Sequence, residues 1–414
     1  MYDFNEIINR KNTNAIKYDF NARYGKPENM VPLWIADMDF AVAPEITTTI
    51  QAVVDHGIYG YTDSSAEYDH ALITWYAQRH QFTIDPSWVV KTPGITFALG
   101  MAIKAFTEPG DAILIQTPLY PPIAHTVKLN DRVCVENILI NQRGYYTIDF
   151  DDFEQQIIKQ HVKMFILCSP HNPVGRVWTV DELKQMADIC KRHDVLVVSD
   201  EIHCDLIMPG FTHHVFSKVC PDVPCILMTA PSKTFNLAGL QCSNIIINDA
   251  DLRKKYEHEI LKTGYHQLNV MGIAACTAAL TQGHQWLEQL TAYLDANRQY
   301  VIDFCEKHLP FITVTPLEGS YLMWLDFNKM HVPQTLINEF SHSEAYQKMT
   351  ANIKLSGHPW PFMIKMLDDA GVWPSPGNMF GTTGEGFFRF NIACPRKTLE
   401  AGLNCLRSGG FHAR

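Results

Sequence analysis

Short runs of β-branched and apolar residues alternate with helical patterns through the middle of this chain, and that alternation limits the possible folds more than any other feature. The predicted strands are Ala112–Ile115, Val133–Ile138, Met164–Cys168, Val195–Ser199, Cys225–Thr229 and Ser243–Ile247. Strands that are apolar along their whole length are covered on both faces, and helices that separate them favour parallel crossovers. The sequence therefore predicts an α/β fold with a mostly parallel sheet, and ligands of such sheets bind beyond the carboxyl ends of the strands.

Helical patterns lie between these strands, and the second of them has the clearest signals. Thr179 and Glu182 have the spacing of a capping box, and an apolar stripe at i, i+3, i+4 and i+7 begins at Leu183. The predicted helices are Thr96–Phe106, Val180–His193 and Asp251–Thr263.

The chain after about residue 282 has a different pattern, which predicts a smaller α+β unit completed by the amino-terminal segment. Its predicted elements are a helix over 286–308, a strand pair at Ile312–Thr315 and Gly319–Leu325, a Gly/Pro-rich loop over Pro374–Gly386 and a final strand at Phe387–Ile392. With 414 residues and 46% hydrophobic content, the chain is long enough for two domains. We predict a large domain over residues 47–290 and a small domain formed by residues 1–46 and 291–414.

Composition and charge argue against several classes of protein. The formal net charge is −10 and no block of Lys and Arg follows the pattern of a phosphate-binding surface, so nucleic-acid binding is not expected. The eleven cysteines are odd in number and scattered, which favours a reducing, cytoplasmic location. The segment Met1–Phe20 has no apolar stretch, and no segment approaches the roughly 20 apolar residues of a membrane helix. We expect neither a secretory signal nor a membrane span.

Two motifs suited to a polar ligand lie at the start of a predicted helix or after a predicted strand. The segment Thr92–Thr96 contains Pro-Gly and immediately precedes a helix, where the free N–H groups of the first turn favour an anion. The segment Ser169–Arg176 follows a strand, and the amide of Asn172 can donate to an oxygen held over the strand end. Taken singly, each motif is also typical of a plain turn.

Two further motifs place ionisable side chains after buried strands. Asp200 follows the apolar run Val195–Val198, and a carboxylate there must be paired or hydrogen-bonded. A helix N-cap would satisfy that requirement most simply, and a carboxylate that holds a proton on a ring nitrogen is the functional alternative. Lys233 lies in the small-residue segment Ala230–Asn236. Most lysines are solvated surface charges, but a partly buried ammonium has a lowered pKa and becomes an available amine.

These motifs are more specific together than singly. In chain order they supply an anion site at a helix start, an amide donor, a buried carboxylate and a lysine, all predicted at one edge of the sheet. Pyridoxal 5′-phosphate (PLP) needs a phosphate cradle, a donor to its phenolate oxygen, an acid beside its pyridine nitrogen and a lysine that forms a Schiff base. The combination therefore predicts PLP as the cofactor.

The same segments resemble those of the fold-type-I PLP enzymes, the superfamily of the aspartate aminotransferases. The lysine segment Ser232–Gln241 (SKTFNLAGLQ) is the most specific match. Trp34–Phe40 (WIADMDF) and Ser199–His203 (SDEIH) are similar to the MalY/PatB-type carbon–sulfur lyases, which are cystathionine β-lyases and cysteine desulfhydrases. The likeness extends to Phe388–Ala393, so it covers nearly the whole chain and implies an aspartate aminotransferase-like fold, with a seven-stranded type of sheet in its large domain.

The resemblance also implies roles for individual residues. Lys233 would form the Schiff base and move the α-proton, Asp200 would keep the pyridine nitrogen protonated, and Tyr120 would stack on the ring. The residues implied to bind the cofactor are Ile95, Thr96, Tyr120, Asn172, Asp200, His203, Ser232, Lys233 and, from the other subunit of a dimer, Tyr61. Those implied to bind the substrate are Arg389 as a bidentate partner of the α-carboxylate, Asn172, Tyr61 and Asp37, with Trp34 near the mouth of the site.

Two positions depart from the transaminase pattern and agree with the lyase subgroup. Many transaminases carry Tyr where this chain has His203, and many carry a phosphate-binding Arg where it has Gln241. A neutral amide holds phosphate less firmly than a guanidinium. The pair His213-His214 has no acidic or Cys partner at ligand spacing, so a solvated loop is expected there and no metal. The segment Leu355–Phe362 matches no motif of this family, so the resemblance implies no role for it.

We therefore predict a PLP-dependent carbon–sulfur β-lyase that cleaves L-cystathionine or a cysteine-like thioether by α,β-elimination to a thiol, pyruvate and ammonia. A homodimer with shared active sites is implied by the resemblance alone. An aminotransferase that uses the same residues is the nearest alternative. A regulatory binding protein built on the enzyme scaffold is a second alternative, although the sequence contains no recognisable docking motif.

Overall fold

The computed structural model describes residues 2–351, 357–409 and 411. The strands in this part of the chain are β1 (Val31–Leu33), β2 (Val89–Thr92), β3 (Ala112–Thr117), β4 (Val133–Ile138), β5 (Ile140–Gln142), β6 (Tyr145–Thr147), β7 (Met164–Cys168), β8 (Leu196–Asp200), β9 (Cys225–Thr229), β10 (Ser243–Ile246), β11 (Thr313–Val314), β12 (Leu322–Asp326), β13 (Val372–Pro376) and β14 (Phe387–Asn391).

Helices connect and cover these strands. The α-helices are α1 (Ile16–Asp19), α2 (Pro44–His56), α3 (Ala66–His80), α4 (Ile95–Phe106), α5 (Pro121–Leu129), α6 (Phe150–Gln160), α7 (Val180–Arg192), α8 (Phe216–Val219), α9 (Pro231–Thr234), α10 (Ala250–Leu261), α11 (Val270–Gln282), α12 (His284–His308), α13 (Gln334–Phe340), α14 (Glu344–Thr350), α15 (Trp360–Ala370) and α16 (Arg396–Ser408). Short 3₁₀ helices span Asn21–Tyr24, Pro86–Trp88, Ala238–Leu240, Gly377–Phe380 and Thr382–Gly384.

Seven strands form the large sheet in the order β2-β10-β9-β8-β7-β3-β4. From β9 to β4 all neighbours are parallel, and β10 is antiparallel to both of its neighbours. In β3, Ile113 and Ile115 pack against α4, α5 and α10, while Leu114 packs against α6 and α7 on the opposite face. Helices therefore cover both faces, which explains why the strand sequences are apolar throughout.

The carboxyl ends of the parallel strands meet at one edge of this sheet. Cys168 at the end of β7 is paired in register with Asp200, the last residue of β8. Tyr120, Asn172 and Lys233 come just after the ends of β3, β7 and β9. Chain segments that lie far apart in sequence therefore present their polar residues at the same edge.

A second sheet has the order β1-β13-β14-β12-β11. β1 is parallel to β13, and the other pairs are antiparallel, so the amino-terminal segment supplies one edge of this sheet. Apolar residues of α12, α15 and α16 belong to the same core. Arg389 of β14 is paired in register with Trp324 and Ser375, which fixes its position within the sheet.

The predicted α/β fold class with a mostly parallel sheet is confirmed, and two details differ. β2 was not predicted, because Val89–Thr92 is short and contains a lysine, yet it forms the edge of the large sheet beside β10. The prediction of a Gly/Pro-rich loop over Pro374–Gly386 is wrong at its start, because Pro374 and Pro376 belong to β13. Pro lacks the N–H donor but can lie in a strand where that donor is not needed. The domain limits stay a prediction.

The structure also bears on the cysteines, on membrane-spanning helices and on the segment Leu355–Phe362. All eleven cysteines are free thiols. Among the described residues no helix is both long and apolar enough to cross a membrane. The unassigned segment Leu355–Phe362 begins outside the described residues, and its end forms the start of α15, where Trp360 and Phe362 are buried.

A buried ion-pair cluster joins the loop after β7 to the segment that leads into β12. Arg176 is 1% exposed, and its guanidinium contacts Glu318 at 3.0 Å and Glu182 at 2.9 Å. Gly175 permits this approach, because its φ is 74° and a Cβ there would lie 2.8 Å from the Leu317 side chain. The cluster therefore sets the position of the loop that carries Asn172.

Replacing Arg176 by Ala is expected to lower the free energy of unfolding by about 3–5 kcal/mol, because Glu318 would remain as a buried, unpaired charge. Urea unfolding followed by far-UV circular dichroism measures the change. Lys348→Ala is the matched control, since it breaks a pair with Glu344 in which the two side chains are 75% and 78% exposed. Such pairs contribute about 1 kcal/mol or less. Equal losses in both variants would contradict the anchoring role of Arg176.

Candidate active site

A cavity of about 300 Å³, which we call the inner cavity, lies at the carboxyl edge of the large sheet. Residues implied by the sequence to bind a cofactor form much of its wall: Ile95, Thr96, Tyr120, Asn172, Asp200, His203, Ser232 and Lys233. The structure therefore brings together all of that set except Tyr61.

The start of α4 forms one end of the inner cavity. Gly94 is the N-cap residue, and its φ of 146° is strained for any residue with a Cβ. The first-turn N–H groups of Ile95 and Thr96 have no acceptor within the helix, and the helix dipole adds positive potential there. Ser232 and Gln241 line the same cavity. This end is suited to a phosphate group, with an amide in place of a cation at Gln241.

Asp200 is a buried carboxyl with few donors. It is 7% exposed, and its Oδ1 accepts one hydrogen bond from the Ile202 N–H at 3.2 Å. Burial raises its pKa from the ordinary 3.8 to about 7. The chain continues after Asp200 as turns, so the N-cap alternative is wrong. A cationic N–H donor in the cavity would complete the hydrogen bonding of this carboxylate and favour its ionised form.

Lys233 projects from the one-turn helix α9 and lines the inner cavity. Its Nζ donates a hydrogen bond to the backbone oxygen of Ala36 at 2.6 Å. Burial, and then the nearby charge of Arg389, lower the pKa of Lys233 from 10.5 to about 8, against the opposite effects of Asp37 and Asp200. A substantial fraction of this amine is therefore neutral, and hence nucleophilic, near pH 8.

Asn172 and Arg389 are hydrogen-bonded across the two sheets. The NH1 group of Arg389 donates to Asn172 Oδ1 at 3.0 Å. Because the carbonyl oxygen of the amide is engaged in this way, Nδ2 is the atom left to donate toward the inner cavity. The predicted role of Asn172 as an amide donor is compatible with this orientation.

A second space of about 650 Å³, the outer cavity, adjoins the first and shares Tyr120 and Lys233 with it. Its other lining residues include Trp34, Asp37, Ser375, Phe380 and Arg389. It is wide enough for a small organic ligand and is largely apolar, apart from these few polar groups.

Arg389 is a buried cation without an anionic partner in the part of the chain that the structure describes. It is 5% exposed, and its NH2 group donates to the Trp34 carbonyl at 3.0 Å and to Ser375 Oγ at 3.2 Å. Burial lowers its pKa from 12.5 to about 10. Since an uncompensated buried charge is unfavourable and a guanidinium fits a carboxylate bidentately, the site is suited to a carboxylate ligand.

His203, where many transaminases have Tyr, is a buried neutral imidazole. It is 3% exposed, and its Nδ1 has no hydrogen-bond partner among residues 2–351, 357–409 and 411. Burial lowers its pKa to about 3, and the charges of Lys233 and Arg389 act in the same direction. Its ring lies edge-on to Tyr321 at 6.1 Å between centroids. His203 therefore offers the inner cavity an uncharged polar group.

The segment Trp34–Phe40, which we call the strap, runs past both cavities, and side chains hold its carbonyl groups. Ser375 and Arg389 donate to Trp34 O, Asn391 donates to Ile35 O and Asp37 O, Lys233 and Tyr321 donate to Ala36 O, and Asn236 donates to Met38 O and Phe40 O. The strap therefore positions the amine of Lys233 and the guanidinium of Arg389 relative to each other.

Asp37 lines the outer cavity, but its charge is already compensated. Its Oδ2 lies 2.6 Å from Arg10 and its Oδ1 lies 3.7 Å from Lys17, and both cations also contact the buried Asp39 at 2.7 Å. These ion pairs fasten the amino-terminal residues to the strap. A direct contact of Asp37 with the substrate stays a prediction.

The structure leaves the predicted role of Tyr61 untested and contradicts the prediction for His213. Tyr61 is fully exposed and lines neither cavity, so its role requires a second copy of the chain and stays a prediction. The solvated loop expected at His213-His214 is wrong for His213, which is 7% exposed and bonded to Glu201 at 2.7 Å. Glu201 precedes His213 by twelve residues, which is longer than metal-ligand spacings, and His214 is half-buried.

Sequence reasoning missed two side chains of the site. Tyr321 donates to Ala36 O at 3.0 Å, the same carbonyl that accepts from Lys233. Asn391 donates to the strap at 2.6 Å, and its position two residues after Arg389 places both side chains on one face of β14. A polar residue at this period-two spacing in an apolar strand was the available signal for Asn391. Tyr321 carried no comparable signal.

These features define an α/β enzyme of the aminotransferase fold, with an amine, a carboxyl and an anion site at one sheet edge. The chain belongs to the aminotransferase class I and II family, whose family model matches residues 28–406. The predicted membership of this superfamily is confirmed.

The relatives and solved structures extend along nearly the whole chain. Cystathionine β-lyase PatB of Bacillus subtilis strain 168 is 36% identical over 408 residues, which cover 98% of this chain and 99% of PatB. Protein MalY of Escherichia coli strain K12 is 31% identical over 406 residues, 97% of each chain. The PLP-bound C–S lyase of Staphylococcus hominis has a TM-score of 0.86 at 33% identity and covers 99% of this chain and 98% of its own. The predicted resemblance to the MalY/PatB-type lyases is confirmed.

The lowered pKa of Lys233 predicts selective chemical labelling of the cofactor-free protein. At pH 8, close to the Lys233 pKa of about 8, a limiting amount of a small acylating reagent should modify Lys233 before the exposed Lys348. Peptide mass spectrometry measures the modified fraction at each site. Labelling of both residues at the same rate would contradict the electrostatic environment assigned to Lys233.

Proposed function

We propose that this chain is a PLP-dependent carbon–sulfur β-lyase, which releases a thiol, pyruvate and ammonia from L-cystathionine or a related S-substituted cysteine. The observation that carries the proposal is the half-buried Lys233, which lines one cavity with the carboxyl of Asp200 and the other with the guanidinium of Arg389, a cation without an anionic partner in the described chain. The similarity to the cystathionine β-lyase PatB and to the C–S lyase of Staphylococcus hominis supports the reaction class.

The residues of the inner cavity fit PLP. The N–H groups at the start of α4 would hold the phosphate, the Asn172 amide would donate to the phenolate oxygen, and Tyr120 would cover the ring. The buried carboxyl of Asp200 lacks a cationic partner in the described chain, and a protonated ring nitrogen would provide one. Bound PLP would supply an electron sink for negative charge at the substrate α-carbon.

The chain's own groups account for binding and orientation of the amino acid. Arg389 would bind the α-carboxylate, because within the described chain its Nε is a buried donor without an acceptor and its hydrogen-bond partners are neutral. With the carboxylate held there, the α-carbon lies toward Lys233, which borders both cavities. The remaining space of the outer cavity is available to the substituent on sulfur.

Proton transfer falls to Lys233. Its neutral amine removes the α-proton, and the backbone oxygen of Ala36, 2.6 Å from Nζ, accepts a hydrogen bond from the resulting ammonium. Asp200 would keep the ring nitrogen of bound PLP protonated, because its carboxylate would stabilise the positive charge on that nitrogen. The bond from the β-carbon to sulfur then breaks, and the ammonium of Lys233 would return its proton to the departing thiolate. The three-carbon aminoacrylate that remains reacts with water to give pyruvate and ammonia.

Two alternative functions, an aminotransferase and a regulatory binding protein, can be separated from the lyase by experiment. An aminotransferase would use the same amine, carboxyl and carboxylate site, and family membership alone does not separate the two reactions. His203 and Gln241 depart from the transaminase pattern and favour the lyase. A regulatory binding role needs an exposed docking surface. The two cavities support catalysis more strongly than any surface feature of the described chain supports docking.

We also propose a homodimer in a cytoplasmic setting, with Tyr61 of one subunit reaching the phosphate of the other. The support is an exposed apolar segment after α2, in which Ile58 is 69% exposed, Tyr59 is 57% exposed and Tyr61 is fully exposed. Exposed apolar side chains grouped in this way are typical of protein interfaces. The free cysteines accord with a reducing compartment.

The reaction is tested by incubating the purified protein and PLP with cystathionine, cysteine and other S-substituted cysteines in separate assays. Pyruvate and free thiol should form in equal amounts without any keto acid, because elimination needs no amino acceptor. Pyruvate is measured with a coupled dehydrogenase and the thiol released from thioethers with a chromogenic disulfide. Because cysteine is itself a thiol, its product is measured as sulfide instead. Turnover that appears only when a keto acid is supplied would identify an aminotransferase instead.

Loss of the Asp200 charge should slow proton abstraction more than cofactor attachment. In Asp200→Asn we expect exchange of the substrate α-proton with deuterated solvent to fall by about 100-fold or more, the size typical of losing one preorganised electrostatic partner. The visible absorbance of PLP bound to Lys233 should persist. Asp151→Asn, at an exposed position of α6, is the control and should exchange at the wild-type rate. A near-normal exchange rate in Asp200→Asn would count against the role of Asp200.

A further inference from the structure

A buried polar cluster connects the turn after Asp200 with the turn that carries Lys233. Its central residue is Asp205, which is 6% exposed. Asp205 Oδ2 accepts a hydrogen bond from Thr234 Oγ1 at 2.9 Å, and Thr234 directly follows Lys233 and is 1% exposed. Asp205 lines neither cavity, so it would act on the site only through other residues.

The link from Asp200 to Asp205 is short and hydrogen-bonded. Two successive turn bonds of 3.0 Å fix it, from Cys204 N to Glu201 O and from Leu206 N to His203 O. Because β8 and β9 are neighbours in the sheet, the contact between Asp205 and Thr234 closes a ring of structure that contains both Asp200 and Lys233.

Asp205 is itself held by α3. Its Oδ1 accepts from Trp75 Nε1 at 3.0 Å and lies 2.9 Å from His80 Nε2 and 3.2 Å from Arg79 Nε. Burial acts to raise its pKa, but the hydrogen bond and charge of His80, with the charge of Arg79, lower the pKa to about 2. The carboxylate is therefore ionised and rigidly placed at neutral pH.

A metal site is the competing explanation for this cluster. His80, Cys204 and Asp205 offer ligand atoms within 4.8 Å of one another. The Asp205 oxygens already face the donors of Trp75, Thr234, His80 and Arg79, and a guanidinium at 3.2 Å repels a cation. The geometry therefore favours a structural tie between two turns over a metal centre.

We propose that Asp205 is a positioning residue, which acts through Thr234 to hold the Lys233 amine at the spacing from Asp200 that a bound pyridine ring requires. This inference rests on the proposed function. Lys233 and Asp200 must reach opposite ends of one planar ring, the aldehyde carbon and the nitrogen. Because the ring is rigid, it cannot adjust to a wrong distance between the two side chains, so the protein must set that distance. Misplacing a reacting group by about 1 Å can reduce the rate by 100-fold.

The direct test removes the single hydrogen bond by Thr234→Val in the PLP-bound enzyme. We expect kcat to fall by about tenfold or more, while KM changes little, because Arg389 and the outer cavity are untouched. The pH titration of the visible absorbance of PLP on Lys233 should shift its midpoint, since the Schiff-base nitrogen is displaced relative to the ring. Thr234→Ser keeps the hydroxyl and should restore both properties.

Two comparisons separate positioning from general loss of stability. Thr107→Val removes another buried threonine hydroxyl, which donates to Ile103 O at 2.6 Å at the far end of α4, and it should leave kcat and the titration unchanged. In a double-mutant cycle, Thr234→Val should have little further effect on kcat in an Asp205→Ala background, because both changes break the same hydrogen bond. Additive effects would overturn the proposal.

The remaining outcomes are equally decisive. If PLP-bound Thr234→Val turns over and titrates like the wild type, Asp205 does not position Lys233 and the inference is wrong while the proposed lyase stands. If Thr234→Ser is as impaired as Thr234→Val, the hydroxyl is not the agent and the inference is again wrong. A wild-type protein that binds no PLP would overturn the proposed function, and this inference with it.

Discussion

The parallel pairing of β7, β8 and β9 is the constraint on which the site depends. It places the ends of three strands side by side, with Cys168 in register with Asp200. Asn172, Asp200 and Lys233 are distant in the chain and become neighbours only through this pairing. The second sheet then adds Arg389 from β14, and the hydrogen bond from Arg389 to Asn172 joins the two halves.

The site contains ionisable groups whose environment disfavours their charge. Burial raises the pKa of Asp200 to about 7 and lowers the pKa of Lys233 to about 8, while Arg389 has neutral partners within the described chain. A structure selected for stability alone would pair these groups with one another. Buried ionisable groups that are not paired with each other reduce stability, and they are typical of binding sites. In such sites the bound ligand supplies the missing partners.

Much of the fold and of the inner cavity was accessible from sequence, because the signals are local. Apolar strands and the residues that follow them lie next to each other in the chain, so Asn172, Asp200 and Lys233 could be placed at one sheet edge. Contacts between remote residues could not be predicted. The pair His213–Glu201, the tie from Asp205 to Thr234 and the donation of Tyr321 to a backbone carbonyl depend on tertiary packing, and a carbonyl carries no residue-type signal.

The strap gives the molecule an internal optical probe. The Trp34 indole stacks on Trp373 with ring centroids 4.4 Å apart and planes at 11°, and the Trp34 carbonyl accepts a hydrogen bond from Arg389. A carboxylate that draws the guanidinium toward itself therefore disturbs the backbone of a stacked indole pair. Binding of a carboxylate at Arg389 should therefore change the intrinsic tryptophan fluorescence, and no attached dye is needed to detect it.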